Sequence, residues 1–227
     1  MPPGLLWVSS RIHLPPTLPP SVPRLIPSTF CFWYENTHIQ EVTVLSGVPK
    51  AARYEAITEQ PDAEGWSVEA PWLTVYEMPD IRFRESKEFK RLDGQSLPKK
   101  ELLDGVFRQA RFDTRFYEIS TIVANYLVDA GPAAFLVSWS LSSLLSSTDL
   151  EGLEEIEGFR RVRVCKVVNA TTLDQFERMG SAVQPYVVLI EFDGVELPVM
   201  SVKNALGRNG DGAELEVGWY RLKRVYE

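Results

Sequence analysis

The sequence predicts an α+β fold made of two consecutive ferredoxin-like βαββαβ modules. Three observations lead there. The strongest apolar runs, such as PWLTVYE and YVVLIEF, have the length of strands and not of helices. Stretches with helical spacing fall between those runs and not in one block. The order of elements over residues 1–127 is met again over residues 128–227, and each half has the size of one ferredoxin-like unit.

Gly4 to Ile12 (GLLWVSSRI) is the first strand, bounded by prolines before it and HLPP after it. Residues 14–27 (LPPTLPPSVPRLIP) hold six prolines in fourteen positions, which favours extended polyproline-like backbone and removes the donors that a ladder needs. Residues 13–27 are therefore an insertion in the first module. Three roles fit it: a lid over a site, a PxxP tract for a partner, or a surface insertion with no role of its own. Ser28 offers an N-cap, and the helix it opens runs to about Ser46, with Gly47 as its stop. Lys50 to Thr58 and Pro71 to Glu77 read as strands. Ile81 to Leu103 reads as helix interrupted between Gly94 and Pro98, and Phe112 to Val123 as a fourth strand.

In the second half, Ala134 to Leu141 is a strand and Asp149 to Ile156 a short helix that stops at Gly158. Phe159 to Asn169 and Tyr186 to Phe192 are strands, with an extra helical turn expected over Thr172 to Met179 between them. Val199 to Leu206 is a helix and Glu214 to Tyr226 the last strand. Tyr126 to Pro132 is the expected junction of the two modules. The two halves share little identity, so their likeness rests on element order.

A ferredoxin-like sheet carries its helices on one face and needs cover on the other. The strands here are apolar at nearly every position, which suits sheets buried on both sides. Two such sheets packed face to face would close a barrel-like core within one chain. The one strongly basic stretch, FRRVRVCK at Phe159 to Lys166, alternates charge with Val and Cys and is expected to be a strand with one solvated face.

Net charge is −7, from 31 acidic and 24 basic residues mixed along the chain, so nucleic acid is not an expected partner. The two cysteines, Cys31 and Cys165, match no metal-ligand spacing and fit a reducing compartment as small core residues. No apolar run approaches the roughly 20 residues needed to span a bilayer. Residues 1–16 lack the basic region of a signal peptide, so a cytoplasmic location without membrane association is expected. Nucleotide-binding, metalloprotease and serine-nucleophile motifs are absent.

At 100° per residue, Phe30, Cys31, Tyr34, His38, Val42 and Leu45 share one face of the first helix. His38, one of two histidines, thus points with apolar residues toward the sheet. There it can act as base or proton shuttle near neutral pH, or sit as a buried histidine hydrogen-bonded to backbone or tyrosine. Tyr34, one turn earlier, can orient it or donate to a developing oxyanion. Trp33, Tyr54, Tyr76, Tyr117 and Glu77 are candidate substrate contacts, although strand alternation lets only about half of the strand residues reach the His38 side. Arg53 and Arg115 can bind a substrate carboxylate or pair with nearby acids. The second half holds no histidine, so a catalytic half would be the first.

GLLWVSSRI, FWYENTH, ARYEA, PWLTVYE and RFYEI together resemble the dimeric α/β-barrel superfamily, and within it the EthD-like and stress-responsive barrel proteins of fungi. The resemblance covers residues 4–123 by sequence and the remainder by element order. The superfamily's first-helix pattern is approximately WYxxEHxP. Here it reads WYENTHIQ, with Thr37 in the acidic position and no following proline. The resemblance implies an intramolecular dimeric α/β barrel, a monomeric pseudo-dimer or a homodimer. It implies a pocket between sheet and helices, a small hydrophobic substrate, and chemistry without metal or organic cofactor. The function expected is a natural-product enzyme acting on a polyketide- or terpenoid-like intermediate by cyclisation, dehydration, isomerisation or decarboxylation, with His38 as general acid/base and Tyr34 beside it. The alternative is a non-catalytic barrel that binds a small hydrophobe or a protein.

Overall fold

In the computed structural model, which describes residues 2–124, 131–144, 152–207 and 216–227, side chains of the first strand alternate between two separate interiors. On β1 (Gly4–Ile12), Leu5 and Trp7 point into one, and Leu6 and Val8 into the other. The same division runs through β2 (Lys50–Ala56), β3 (Trp72–Met78), β4 (Ala110–Ala124), β5 (Phe135–Leu141), β6 (Phe159–Asp174), β8 (Tyr186–Phe192) and β9 (Val217–Tyr226). A short β7 (Glu177–Gly180) extends from β6.

Strand order is β4-β1-β3-β2-β9-β5-β8-β6-β7, and β4 also pairs with β6. That pairing closes eight of the nine strands into one antiparallel barrel, with β7 left outside the ring. β2 meets β9 at one seam and β4 meets β6 at the other. The order in the first half is β4-β1-β3-β2, and in the second β9-β5-β8-β6. The barrel interior is filled from both halves by Leu5, Trp7, Leu73, Tyr117, Leu136, Leu189 and Tyr220, among others. Outside it, a first apolar layer lies beneath α1 (Pro27–Trp33), a π-turn (Tyr34–His38) and α2 (Ile39–Thr43). A second lies beneath α5 (Val199–Gly207), where Trp139, Trp219 and Val202 are buried together. Two further short helices are α3 (Trp66–Glu69) and α4 (Lys100–Gly105).

Several expectations are corrected. Ile81 to Leu103 forms 3₁₀ turns at Ile81–Glu85 and Phe89–Arg91 before α4, because Gly94 takes a left-handed φ of 85° and Pro98 bars helix through the segment. The helical turn over Thr172 to Met179 is instead a β-hairpin: β6 continues to Asp174, and Gln175 and Phe176 turn it with φ of 50° and 72°. Left-handed residues at both central positions fit the right-handed twist of the flanking strands, a conformation that Gln-Phe does not announce as Asn-Gly would. Of the expected helix at Asp149 to Ile156, residues 149–151 lie outside the described residues, and residues 152–158 form turns. The junction expected at Tyr126 to Pro132 lies mostly outside them too.

The basic strand is also corrected. Val162 and Val164 face the outer layer beneath α5, while Arg163 and Cys165 face the barrel interior and are buried. Alternation was present, but the charged face is the enclosed one.

The proline-rich segment is packed down. Leu25 is buried, its N–H donates to Gln109 Oε1 at 2.8 Å, and Gln109 Nε2 donates to the carbonyl of Pro23 at 3.1 Å.

One end of the barrel is plugged. Trp66 of α3 donates from Nε1 to Ser9 Oγ at 3.2 Å, the Arg115 guanidinium lies 4.6 Å from the Trp66 ring centroid, and Arg115 pairs with Glu216 at 2.7 Å. Burial in this interior pushes the Cys165 thiol up from its ordinary 9.0 to about 12, and the Tyr117 phenol from 10.0 to about 12. Tyr54 and Tyr220 are raised by the same cause. A raised folded-state value means that the neutral form is favoured by folding. Its contribution is whole below the unfolded-state values and is lost as pH rises through the folded ones. Stability measured by urea unfolding should therefore be level up to about pH 9 and fall steeply between about pH 9 and 12. A midpoint that stays level through that window would contradict the buried-phenol account.

Candidate functional site

The first helix is interrupted at the residues that the sequence singles out. Tyr34 to His38 forms a π-turn in which the Ile39 N–H reaches back to the Tyr34 carbonyl. One extra residue per turn rotates His38 relative to a continuous α-helix, and such turns recur at functional sites. Phe30, Tyr34, Ile39 and Val42 are buried against the sheet, while Trp33 packs at the layer's edge.

His38 is clamped between rings. Its imidazole stacks on Trp33, with centroids 5.1 Å apart and planes at 26°, and lies 5.2 Å from the Tyr34 ring. Nδ1 is buried, has no hydrogen-bond partner among the described residues, and is 3.7 Å from Glu41 Oε2. Glu41, on the following turn, thus sets a carboxylate beside His38. Sequence reasoning passed over Glu41, although its i+3 spacing from His38 was legible.

His38 opens onto a cavity of about 50 Å³ bounded by Leu6, Tyr76, Phe112, Leu173 and Arg178. Leu173 and Arg178 come from the β6–β7 hairpin, so the second half of the chain completes a site carried by the first. The Arg178 guanidinium donates to the carbonyl of Gly94, which fastens that hairpin to the loop around Asp93. Leu92 and Asp93 also line a broad surface cleft with Glu41, Leu45, Glu88 and Arg91. The small cavity and the wider cleft therefore adjoin at Leu92 and Asp93. About 50 Å³ is the scale of a water or two.

Behind His38 lies a polar cluster that is largely buried. Arg53 is fully buried, donates to Thr74 Oγ1 at 3.2 Å, sits 3.6 Å from Glu35, and stacks 4.7 Å over the Tyr34 ring. Burial raises the hydroxyl pKa of Tyr34 and, further, of Tyr76, where the neighbouring Tyr34 adds to the effect. Both phenols stay protonated at neutral pH and can donate hydrogen bonds but not act as bases. Cys31, Glu35 and Glu55 place ligand atoms within 4.8 Å of one another. Arg53 donates to Cys31 and faces Glu35, so the chain brings its own cation to that group.

Of the residues singled out from the sequence, His38, Tyr34, Trp33 and Tyr76 come together. Tyr54, Tyr117 and Glu77 do not join them, because strand alternation turns all three toward the barrel interior. Glu77 and Tyr54 instead line a separate cavity at the barrel's open end.

No family model matches the chain, and no curated protein sequence does. Solved structures share its fold. An anthrone oxidase-like protein superposes with a TM-score of 0.53 at 12% identity, covering 99% of this chain and 92% of the other. A candidate monooxygenase of Fusobacterium nucleatum gives 0.50 at 9% identity, over 99% and 94%. At such identity the likeness is one of fold. The chain is an α+β barrel of the same small, closed kind.

Proposed function

We propose that the chain is a proton-transfer enzyme acting on a small apolar, polyketide- or terpenoid-like compound, with His38 as general acid/base. The observation that carries this reading is the His38 Nδ1: buried, without a hydrogen-bond partner among the described residues, flanked by Glu41, and held between the Trp33 and Tyr34 rings beside a small cavity. An imidazole so placed can take a proton from an acidic carbon or phenol, with Tyr76 donating to the enolate that forms. Cyclisation, dehydration, isomerisation and decarboxylation all begin or end with such a transfer. The fold shared with an anthrone oxidase-like protein and a candidate monooxygenase favours a second outcome of the same deprotonation, in which the resulting electron-rich aromatic anion reduces dioxygen.

The barrel is read as an intramolecular dimeric α/β barrel, with residues 1–127 and 128–227 as ferredoxin-like modules. Support comes from strand order, since fourth-first-third-second describes β4-β1-β3-β2 and equally β9-β5-β8-β6. On this reading the second module keeps the architecture but has lost its site, its outer layer being filled by Trp139 and Trp219.

The test is turnover of aromatic polyketide substrates, an anthrone among them, by wild-type protein and His38→Ala. The variant should lose about 10²- to 10⁴-fold in kcat while keeping its fold by circular dichroism. Undiminished turnover by His38→Ala overturns the role given to His38. Substrates that bind without being consumed would favour a barrel that only binds.

A further inference from the structure

Among the described residues the barrel's second end is open, and it holds charge that the proton-transfer reading does not use. The starts of β2 and β6, the ends of β3 and β9, and Gly131 and Pro132 ahead of β5 surround a cavity of about 230 Å³. Its wall carries Arg161 and Arg163 from β6, with Lys50 and Glu77 at the rim. Both arginines bind the same carboxylate: Arg161 Nε lies 2.7 Å from Glu191 Oε2 and Arg163 Nη2 2.5 Å from Oε1. Glu191 is fully buried and Arg163 is 6% exposed. Among the described residues, one carboxylate against two guanidiniums leaves an excess positive charge in a confined space, where charges interact more strongly than in water. Arg163 Nε is a buried donor with no acceptor among the described residues. Lys50 and Glu77 face each other in register across β2 and β3 and offset one another. Ala52, Val75 and Val225 supply apolar wall.

We propose that this open end is a second binding site, for a small carboxylate with an apolar body. The carboxylate would accept from the Arg161 and Arg163 guanidiniums beside Glu191, and the body would lie along Ala52, Val75 and Val225. The planar fork of arginine suits a carboxylate, and the cavity volume suits a single aromatic ring. The site is separated from the His38 cavity by the thickness of the sheet: Tyr76 of β3 faces one, and Val75 and Glu77 face the other.

The test is calorimetric titration of benzoate, and of the uncharged isostere benzamide, into the full chain. Benzoate should bind, and benzamide about tenfold more weakly or worse, the difference expected for charge-assisted bonds. Arg161→Met should weaken benzoate about tenfold, since Arg163 keeps Glu191 paired in that variant. Glu77→Gln should tighten benzoate, and His38→Ala should leave its affinity unchanged. Equal binding of benzoate and benzamide overturns the proposal, as does absence of benzoate binding at tens of millimolar. Loss of benzoate binding in His38→Ala would place the ligand in the other cavity and also overturn it. If Arg161→Met does not fold, Glu77→Gln decides alone: tighter binding supports the site, and unchanged binding overturns it.

Discussion

Replacing Glu191 with leucine should destabilise the protein by about 3–5 kcal/mol, a large share of the ~5–15 kcal/mol that keeps a domain folded. Glu191 has no exposed surface and is the contact partner of both Arg161 and Arg163. Leucine fills similar space but leaves two guanidiniums in the barrel with no counterion, and the cost lies in the stranded charges more than in the lost attraction. A compensated variant separates these terms. Glu191→Leu combined with Arg161→Met and Arg163→Met removes the whole network and should recover most of the loss, since apolar replacement of a buried ion cluster is often neutral. Urea unfolding of the single and triple variants checks both. A triple variant no more stable than Glu191→Leu would show that packing, and not charge, dominates there.

The second large effect is expected at Trp7. Its indole is 1% exposed and meets Tyr117 edge-on at 6.5 Å and Tyr220 at 6.1 Å. These rings come from β1, β4 and β9, so Trp7 joins both halves at the barrel's centre. Trp7→Ala should cost about 3–5 kcal/mol through lost burial and the cavity left behind. Trp7→Phe should cost much less than its lost area suggests. The Trp7 Nε1 has no acceptor among the described residues, and phenylalanine removes that unsatisfied donor together with the surface. Loss in Trp7→Ala should appear as one earlier unfolding transition seen alike by fluorescence and circular dichroism. Two separated transitions would mean that the halves melt independently.

Much of this arrangement was legible in the sequence. The strands are found within two or three residues of their expected bounds at Gly4, Trp72, Phe135 and Tyr186, because unbroken apolar runs bounded by proline or glycine leave few alternatives. The inward face of the first helix was legible from spacing, including His38. Its π-turn was not, since a single extra residue per turn leaves no trace in a pattern read at 3.6-residue spacing. FRRVRVCK shows where periodicity runs out. Alternation separates two faces, but which face is wet depends on what lies across from it. Here it is Glu191, at the end of a run, YVVLIEF, that otherwise looks wholly apolar. Tyr54, Tyr117 and Glu77 miss the His38 side for the same reason: strand phase was known, but its sign relative to the helices was not.

The seam between β4 and β6 runs from Arg111 opposite Asp174 to Ala124 opposite Arg161. Because both strands belong to one chain, the ring closes by an intramolecular step. Its cohesion is then a matter of effective concentration fixed by the connecting chain, and not of how much protein is in the tube. A barrel assembled from two separate chains would loosen on dilution. This one should unfold at the same denaturant concentration whether dilute or concentrated.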